Sequence, residues 1–419
     1  MPYVLDFPDG WPADDLTSPW LPNLQRLVVN TYGSIPPSQV EWTHKLLTPG
    51  LLSFEMHSID LNRSSGDDPR SEHSWLPQET CSELLGSMAV TCLWINTLRI
   101  FPAASSGSET IYHSRILSGI ARLTQLSVLA LGTTNLDQEL FDVLGRLSYL
   151  EVLTLHNDGS QQRQGEHSEI SISDDLFPSL RQLEFRGIDD LDIQRIDGLS
   201  SLFSQLTKAA IIFLDDGFYE EQTNHCLRSG LALHCIGTNS LRLVDLTLFT
   251  PWNHAYFAIF IPGALDVFRQ MPLRRLRLGR VRLQSWPDTV GLDTNILTRP
   301  YGHLRLEVHW RDFLLAVPQL EELHLELQML QSSHLPSFAH LLPNLRLLVL
   351  LMIRFDEVEP SAEKAATQPI TIRCPCYTGP TGGEFTNASG AAKYVPTIFL
   401  TLSSVIERRL GFYTVFGQM

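Results

Sequence analysis

Apolar residues recur along this chain in one short pattern, L-x-x-L-x-L. Leu320, Leu323 and Leu325 stand in it, and Leu345, Leu348 and Leu350 repeat it 25 residues later. The same spacing holds for Leu24, Leu27 and Val29, for Ile95, Leu98 and Ile100, and for Leu126, Leu129 and Leu131. It returns at Leu150, Leu153 and Leu155, at Leu180, Leu183 and Phe185, at Leu243, Leu246 and Leu248, and at Leu273, Leu276 and Leu278. Leu206, Ala209 and Ile211 form a degenerate copy, and Met56, Ile59 and Leu61 read as the second copy of the series. The last four positions alternate with a period of two, which predicts a short strand with its apolar side chains on one face. Between copies the period changes: residues 77–90 and 135–144 place apolar residues at helical spacing and predict helices.

A strand with fixed apolar positions, recurring every 25 residues or so, is the signature of a leucine-rich repeat. One such coil cannot bury its own apolar side, so the copies must stack, and each inward leucine is worth about 1.5–3 kcal/mol when fully buried. Neighbouring strands sit about 4.7–4.9 Å apart and helices about 8–10 Å apart, so the stack bends with its strands on the inner side. The expected fold is therefore α/β, a leucine-rich-repeat solenoid (horseshoe) with a concave parallel β-sheet and convex helices. Ten or eleven copies stand at spacings of roughly 24 to 39 residues, and the excess over an ordinary repeat of about 20–29 belongs in convex helices and loops. The division expected is an N-terminal extension or cap at 1–19, the solenoid at 20–353, a loop-rich segment at 354–393 and a C-terminal cap at 394–419.

The positions beside the strand leucines face the hollow. They include Arg99, Glu184, Arg186, Arg275, Arg277, Glu322, His324 and Glu326, with Ser58, Asp60 and Asn62 in the second copy. Arg274, Arg275, Arg277, Arg280 and Arg282 fall within nine residues. Such a group can grip a carboxylate-rich or phosphorylated peptide, because guanidinium forks match those anions. It can equally pair with the acidic neighbour strand through Glu321, Glu322 and Glu326. The triplet Leu347, Val349 and Leu351 is apolar where an open surface should be polar, so the tail or a partner is expected to cover it.

Composition narrows the functions. A formal charge of −15 on 419 residues opposes general nucleic-acid binding and docking on anionic membranes. Six cysteines are too sparse for a disulfide framework, and Cys374 with Cys376 has no second pair to complete a metal site. His303, His309, His324, His334 and His340 lack the spacing of a helix-borne metal site. Nucleophile and phosphate-loop motifs are absent, so no catalytic, cofactor or metal set is expected and the chain does not read as an enzyme. Trp252, Tyr256, Phe257 and Phe260 read as packing residues. The acidic start, with Asp6, Asp9, Asp14 and Asp15, does not read as a signal peptide, and a cytoplasmic or nuclear location is expected.

The phrases LPNLRLL at 342–348, FPSLRQL at 177–183 and VPQLEEL at 317–323 resemble the repeats of fungal F-box leucine-rich-repeat proteins, a likeness that covers about residues 20–351. The resemblance implies the substrate-recognition part of an SCF-type ubiquitin ligase, with a target protein on the concave face and a Skp-type adaptor and cullin as further partners. An F-box itself is not legible before the first repeat. Residues 76–79 and 90–94 match its two ends without the helices between them and read as coincidence. The alternative is a repeat-only structural or regulatory binding module with no ligase link.

Overall fold

The computed structural model describes residues 21–31, 37–58, 75–102, 109–133, 136–157, 169–188, 193, 195–197, 199–213, 236, 240–249, 258–279, 282–284, 310–331, 334–354, 370–373, 376–378 and 384–385. The expected segments 1–19 and 394–419, and Arg280, Cys374, Trp252, Tyr256, Phe257, His303 and His309, lie outside them.

Among the described residues, twelve strands run side by side and parallel in one open sheet, which short strands at 75–76, 376–378 and 384–385 extend. They are β1 (Arg26–Thr31), β2 (Ser53–Ser58), β3 (Thr97–Pro102), β4 (Val128–Thr133), β5 (Val152–Asn157), β6 (Gln182–Ile188), β7 (Lys208–Phe213), β8 (Asp245–Phe249), β9 (Arg275–Gly279), β10 (Glu322–Gln331), β11 (Leu347–Arg354) and β12 (Thr371–Arg373). Helices α1 (Pro37–Leu46), α2 (Gln78–Thr91), α3 (Glu109–Ala121), α4 (Gln138–Gly145), α5 (Leu199–Gln205), α6 (Ile261–Gln270), α7 (Trp310–Ala316) and α8 (Leu335–Leu341) come between them in the chain.

The stack is held in register by a run of shared carbonyls. Gln25 O accepts the N–H groups of Leu52 and Ser53, Leu52 O those of Asn96 and Thr97, and Asn96 O those of Ser127 and Val128. The scheme continues coil by coil to Glu321 O, which accepts from Arg346 and Leu347, every bond lying between 2.7 and 3.2 Å. Just before it each coil turns tightly: the N–H of Leu126 reaches Leu123 O, that of Leu150 reaches Leu147 O and that of Leu345 reaches Leu342 O. Each strand therefore starts at the same height as its neighbour. Leu129 stands opposite Leu153, Leu153 opposite Leu183, and Leu246 opposite Leu276.

These rows are the core. Leu98, Leu129, Leu153, Leu246, Leu276, Leu323 and Leu348 are fully buried, as are Leu155, Leu278 and Leu325 two residues on. The degenerate copy fits the same places, with Ala209 and Ile211 buried. Phe141, Phe177, Phe268, Phe313 and Phe338 fill the space towards the helices, where a small side chain would leave a void. Phe177 is held at φ 57, its N–H on Gly145 O at 2.8 Å and its ring edge-on to Phe141. That left-handed backbone costs a residue with a bulky side chain, and the packing around the ring offsets the cost.

The second copy differs from expectation. Its inward residues are Leu51, Phe54 and Met56, not Met56, Ile59 and Leu61, and its outward ones are Ser53 and Glu55. Phe and Met occupy leucine positions there, which let a later set match the template by chance. Ser58 only ends β2, and Asp60 and Asn62 lie outside the described residues. The ladder also runs past residue 353, because Thr371–Arg373 pairs beside Leu347–Val349 with Ile370 and Ile372 buried.

In the coils whose helix is described, chain length varies chiefly on one margin. Where a helix is described, the stretch from its end to the next strand start is short, as from Ala121 to Val128 or from Leu341 to Leu347. From strand end to helix start the interval runs from Gln331–Leu335 up to Gly279–Trp310.

Replacing Leu153, fully buried, with Ala should cost about 2–5 kcal/mol, whereas Thr154→Ala on the opposite face of the same strand should stay within about 0.5 kcal/mol. Urea unfolding of the two variants measures the difference, and equal losses would contradict the assignment of faces.

Candidate functional site

Because the leucine rows close the core, the alternate side chains of the ladder are left to the concave face. One outward row reads Arg26, Ser53, Thr97, Val128, Val152, Gln182, Lys208, Asp245, Arg275, Glu322 across β1 to β10. The row two residues on reads Val28, Glu55, Arg99, Ala130, Thr154, Glu184, Ala210, Thr247, Arg277, His324. Charged residues cluster towards both ends. Small, uncharged Ala130, Thr154, Ala210 and Thr247 lie between them in the second row, broken by Glu184 with its partner Arg186, and Lys208 lies among them in the first row.

The expected site residues fall into three places. Arg275, Arg277, Glu322 and His324 come together on β9 and β10, with Arg275 opposite Glu322 and Arg277 opposite His324 in register. Glu326 continues β10 beyond them, its side chain outside the described residues. Glu184 and Arg186 are a separate pair on β6, 2.6 Å apart. Arg99 stands near the other end, on β3.

Arg275 does not turn to Glu322 for its ion pair; its Nε donates to Asp245 Oδ2 on β8 at 3.0 Å. The acidic neighbour strand takes Arg274 instead, which reaches Glu321 at 3.5 Å. Arg282 leaves this sheet altogether, in a short strand paired with residues 258–260.

The slip in the second copy concealed a further group. Glu55 lies beneath Arg26 and Arg99, accepting from Arg26 Nη2 at 2.9 Å and from Ser53 Oγ at 3.2 Å, with Arg99 Nε 3.5 Å from its other oxygen. Three strands thus meet at one carboxylate. The legible signal for it was the Pro49–Gly50 turn before Leu51, which matches Pro22–Asn23 before Leu24.

No family model matches the chain, and no curated protein matches it in sequence. Among solved structures, a leucine-rich repeat-containing protein from Legionella pneumophila aligns at 12% identity and a TM-score of 0.35, covering 86% of this chain and 92% of that one. So distant a likeness carries no weight; the assignment of a leucine-rich-repeat solenoid rests on the parallel ladder and its leucine rows.

Away from the concave face, reactive chemistry is sparse among the described residues. Cys81 and Cys92 are buried free thiols; burial pushes both up, Cys92 to about 11, so neither supplies a thiolate. No three described side chains could hold a metal ion, and no described helix is long and apolar enough to cross a membrane.

One small cavity, about large enough for a single water and lined mostly by apolar side chains, lies between α2, α3, α4 and β4. Gln78 and His113 line it, and Gln78 Oε1 is buried without a hydrogen-bond partner. His113 Nε2 lies 3.0 Å from Asp137 Oδ2, a close ion pair without the alignment of a hydrogen bond. Asp137 also caps α4, accepting from Leu140 N at 2.9 Å. Burial pulls His113 down, but the Asp137 carboxylate and nearby Glu139 outweigh it and hold its pKa above the ordinary value. Burial would raise Asp137, but His113 and the Leu140 amide hold it below its own. The pair ties the start of α3 to the start of α4.

Since His113 is raised, its contribution to stability is complete below its unfolded value of 6.5 and is lost as pH climbs through the higher folded value. The stability deficit of His113→Gln should therefore be largest near about pH 5.5 and shrink by about pH 8.5. Thermal unfolding at the two pH values tests this, and a deficit that grows with pH would contradict it.

Proposed function

We propose that this chain is a protein-binding scaffold that holds a target protein on its concave face. The observation that supports the reading is the division of labour along each strand. Inward residues build the leucine core, while the outward ones stand outside it and vary from coil to coil. A rigid parallel sheet presenting varied polar side chains suits a protein partner, because little ordering entropy remains to be lost on binding. Arg275, Arg277, Glu322 and His324, with Arg99, Glu184 and Arg186 farther along, are the proposed contacts.

Within that reading we assign the chain to substrate recognition in an F-box-type ubiquitin ligase of the cytoplasm or nucleus. The three repeat phrases at 177–183, 317–323 and 342–348 support this assignment.

Two experiments test the proposals separately. Placing tryptophans on the floor of the hollow, as Thr154→Trp with Thr247→Trp, should abolish cross-linking of partner proteins in lysate, read by mass spectrometry. An unchanged partner set would remove the concave face from consideration. The ligase assignment expects a Skp-type adaptor to co-purify with the full-length gene product, and its consistent absence would leave the repeat-only binding module.

A further inference from the structure

At two places on the concave face the charges stand at two heights, whereas the Glu184–Arg186 pair between them is nearly level, at 27% and 21% exposed. Carboxylates lie low: the Glu55 side chain is 11% exposed and that of Asp245 14%. The arginines they hold stand high: Arg26 is 68% exposed, Arg99 44% and Arg275 53%. Arg277, beside Arg275, is exposed as well. A partner entering the hollow at either place thus meets guanidinium first, although the protein as a whole carries −15. Each low carboxylate orients its arginine and reduces the rotamer freedom left to be lost on binding.

The arginines form two stations. One is Arg26 with Arg99 around Glu55; the other is Arg275 with Arg277 beside Asp245. Six strand steps separate β3 from β9, which at about 4.8 Å each is about 29 Å along the sheet. The small side chains of Ala130, Thr154, Ala210 and Thr247 floor much of the way between them, with the Glu184–Arg186 pair and Lys208 among them. An extended chain advances about 3.3 Å per residue, so about eight or nine residues span the stations.

Taking the concave face as the binding surface, as proposed above, we propose that its occupant is an extended protein segment with two anionic clusters about eight residues apart. One cluster sits on Arg26 and Arg99, the other on Arg275 and Arg277. Aspartate, glutamate and phosphorylated serine share the required chemistry, since each offers oxygens that a guanidinium fork can pair with. Nucleic acid is disfavoured, because the acidic body repels a polyanion and the stations offer only four arginines.

The test uses full-length protein and three fluorescent peptides in anisotropy titrations at about 50 mM salt. The first carries Glu-Asp-Glu clusters about eight Gly/Ser residues apart, the second carries phosphoserine in the clusters, and the third carries lysine. The first or second should bind, the comparison showing which anion is preferred, and the third should not. Bringing the clusters within about three residues should weaken binding about tenfold, because one station is then unfilled. Arg275→Glu with Arg277→Glu should weaken it at least as much.

At the other station, Arg26→Glu with Arg99→Glu leaves Glu55 crowded by like charge and risks misfolding. The neutral set Arg26→Gln, Glu55→Gln and Arg99→Gln removes both signs and should weaken binding by the same factor. Equal binding of acidic and basic peptides, no binding by either anionic peptide, or acidic binding unchanged in the station variants would overturn the proposal. If the tryptophan variants still block partners while the peptides show no charge preference, the scaffold reading survives and only this inference falls.

Discussion

One backbone arrangement underlies the molecule: a carbonyl of each coil accepts two N–H groups from the next. It needs no side chain, so it tolerates any sequence that can enter the turn before it. Two adjacent donors on one acceptor set both the height and the direction of the following strand. Once the height is set, the leucine rows align without further instruction. A slip of one residue would send every leucine of that strand to the wrong face. The apolar core and the carbonyl run therefore enforce each other: the first makes a slip costly, and the second makes the correct height the local optimum.

Those rows were legible because period two and period 25 are written in leucine, and leucine in such numbers has few other uses. Ile95, Leu126, Leu150, Leu180, Leu243, Leu273, Leu320 and Leu345 all occupy the buried places their spacing implied, and Leu24 packs partly buried against the same core. Even Leu206, Ala209 and Ile211 were recoverable, since Ala and Ile fill the positions without disturbing the alternation. The second copy was misplaced because Phe54 and Met56 pack like leucine but do not spell it. The strand at Thr371–Arg373 was missed for a related reason: two isoleucines two apart, at Ile370 and Ile372, are too short a signal to stand out in a Pro- and Gly-rich stretch.

The binding face was legible only as a set of positions. Which arginine pairs with which carboxylate depends on side-chain reach across strands far apart in sequence. Arg275 had acidic residues available on either side, and spacing favoured Glu321, Glu322 and Glu326 over Asp245. Burial of the carboxylates, which separates the charges by height, follows from how deep each position sits in the curved sheet. No linear pattern encodes that depth. The small cavity at Gln78 and His113 was likewise hidden, because it joins residues from three helices and a strand that no shared period connects.

In the coils whose helix is described, the short turns lie on one margin of the stack and the widely variable intervals on the other. A mutation that adds residues can therefore persist along only one border, where it moves neither the leucines nor the guanidinium stations. Descendants of such a gene could acquire new outgrowths there while keeping an inherited grip, so that regulation and recognition would be free to diverge at different rates.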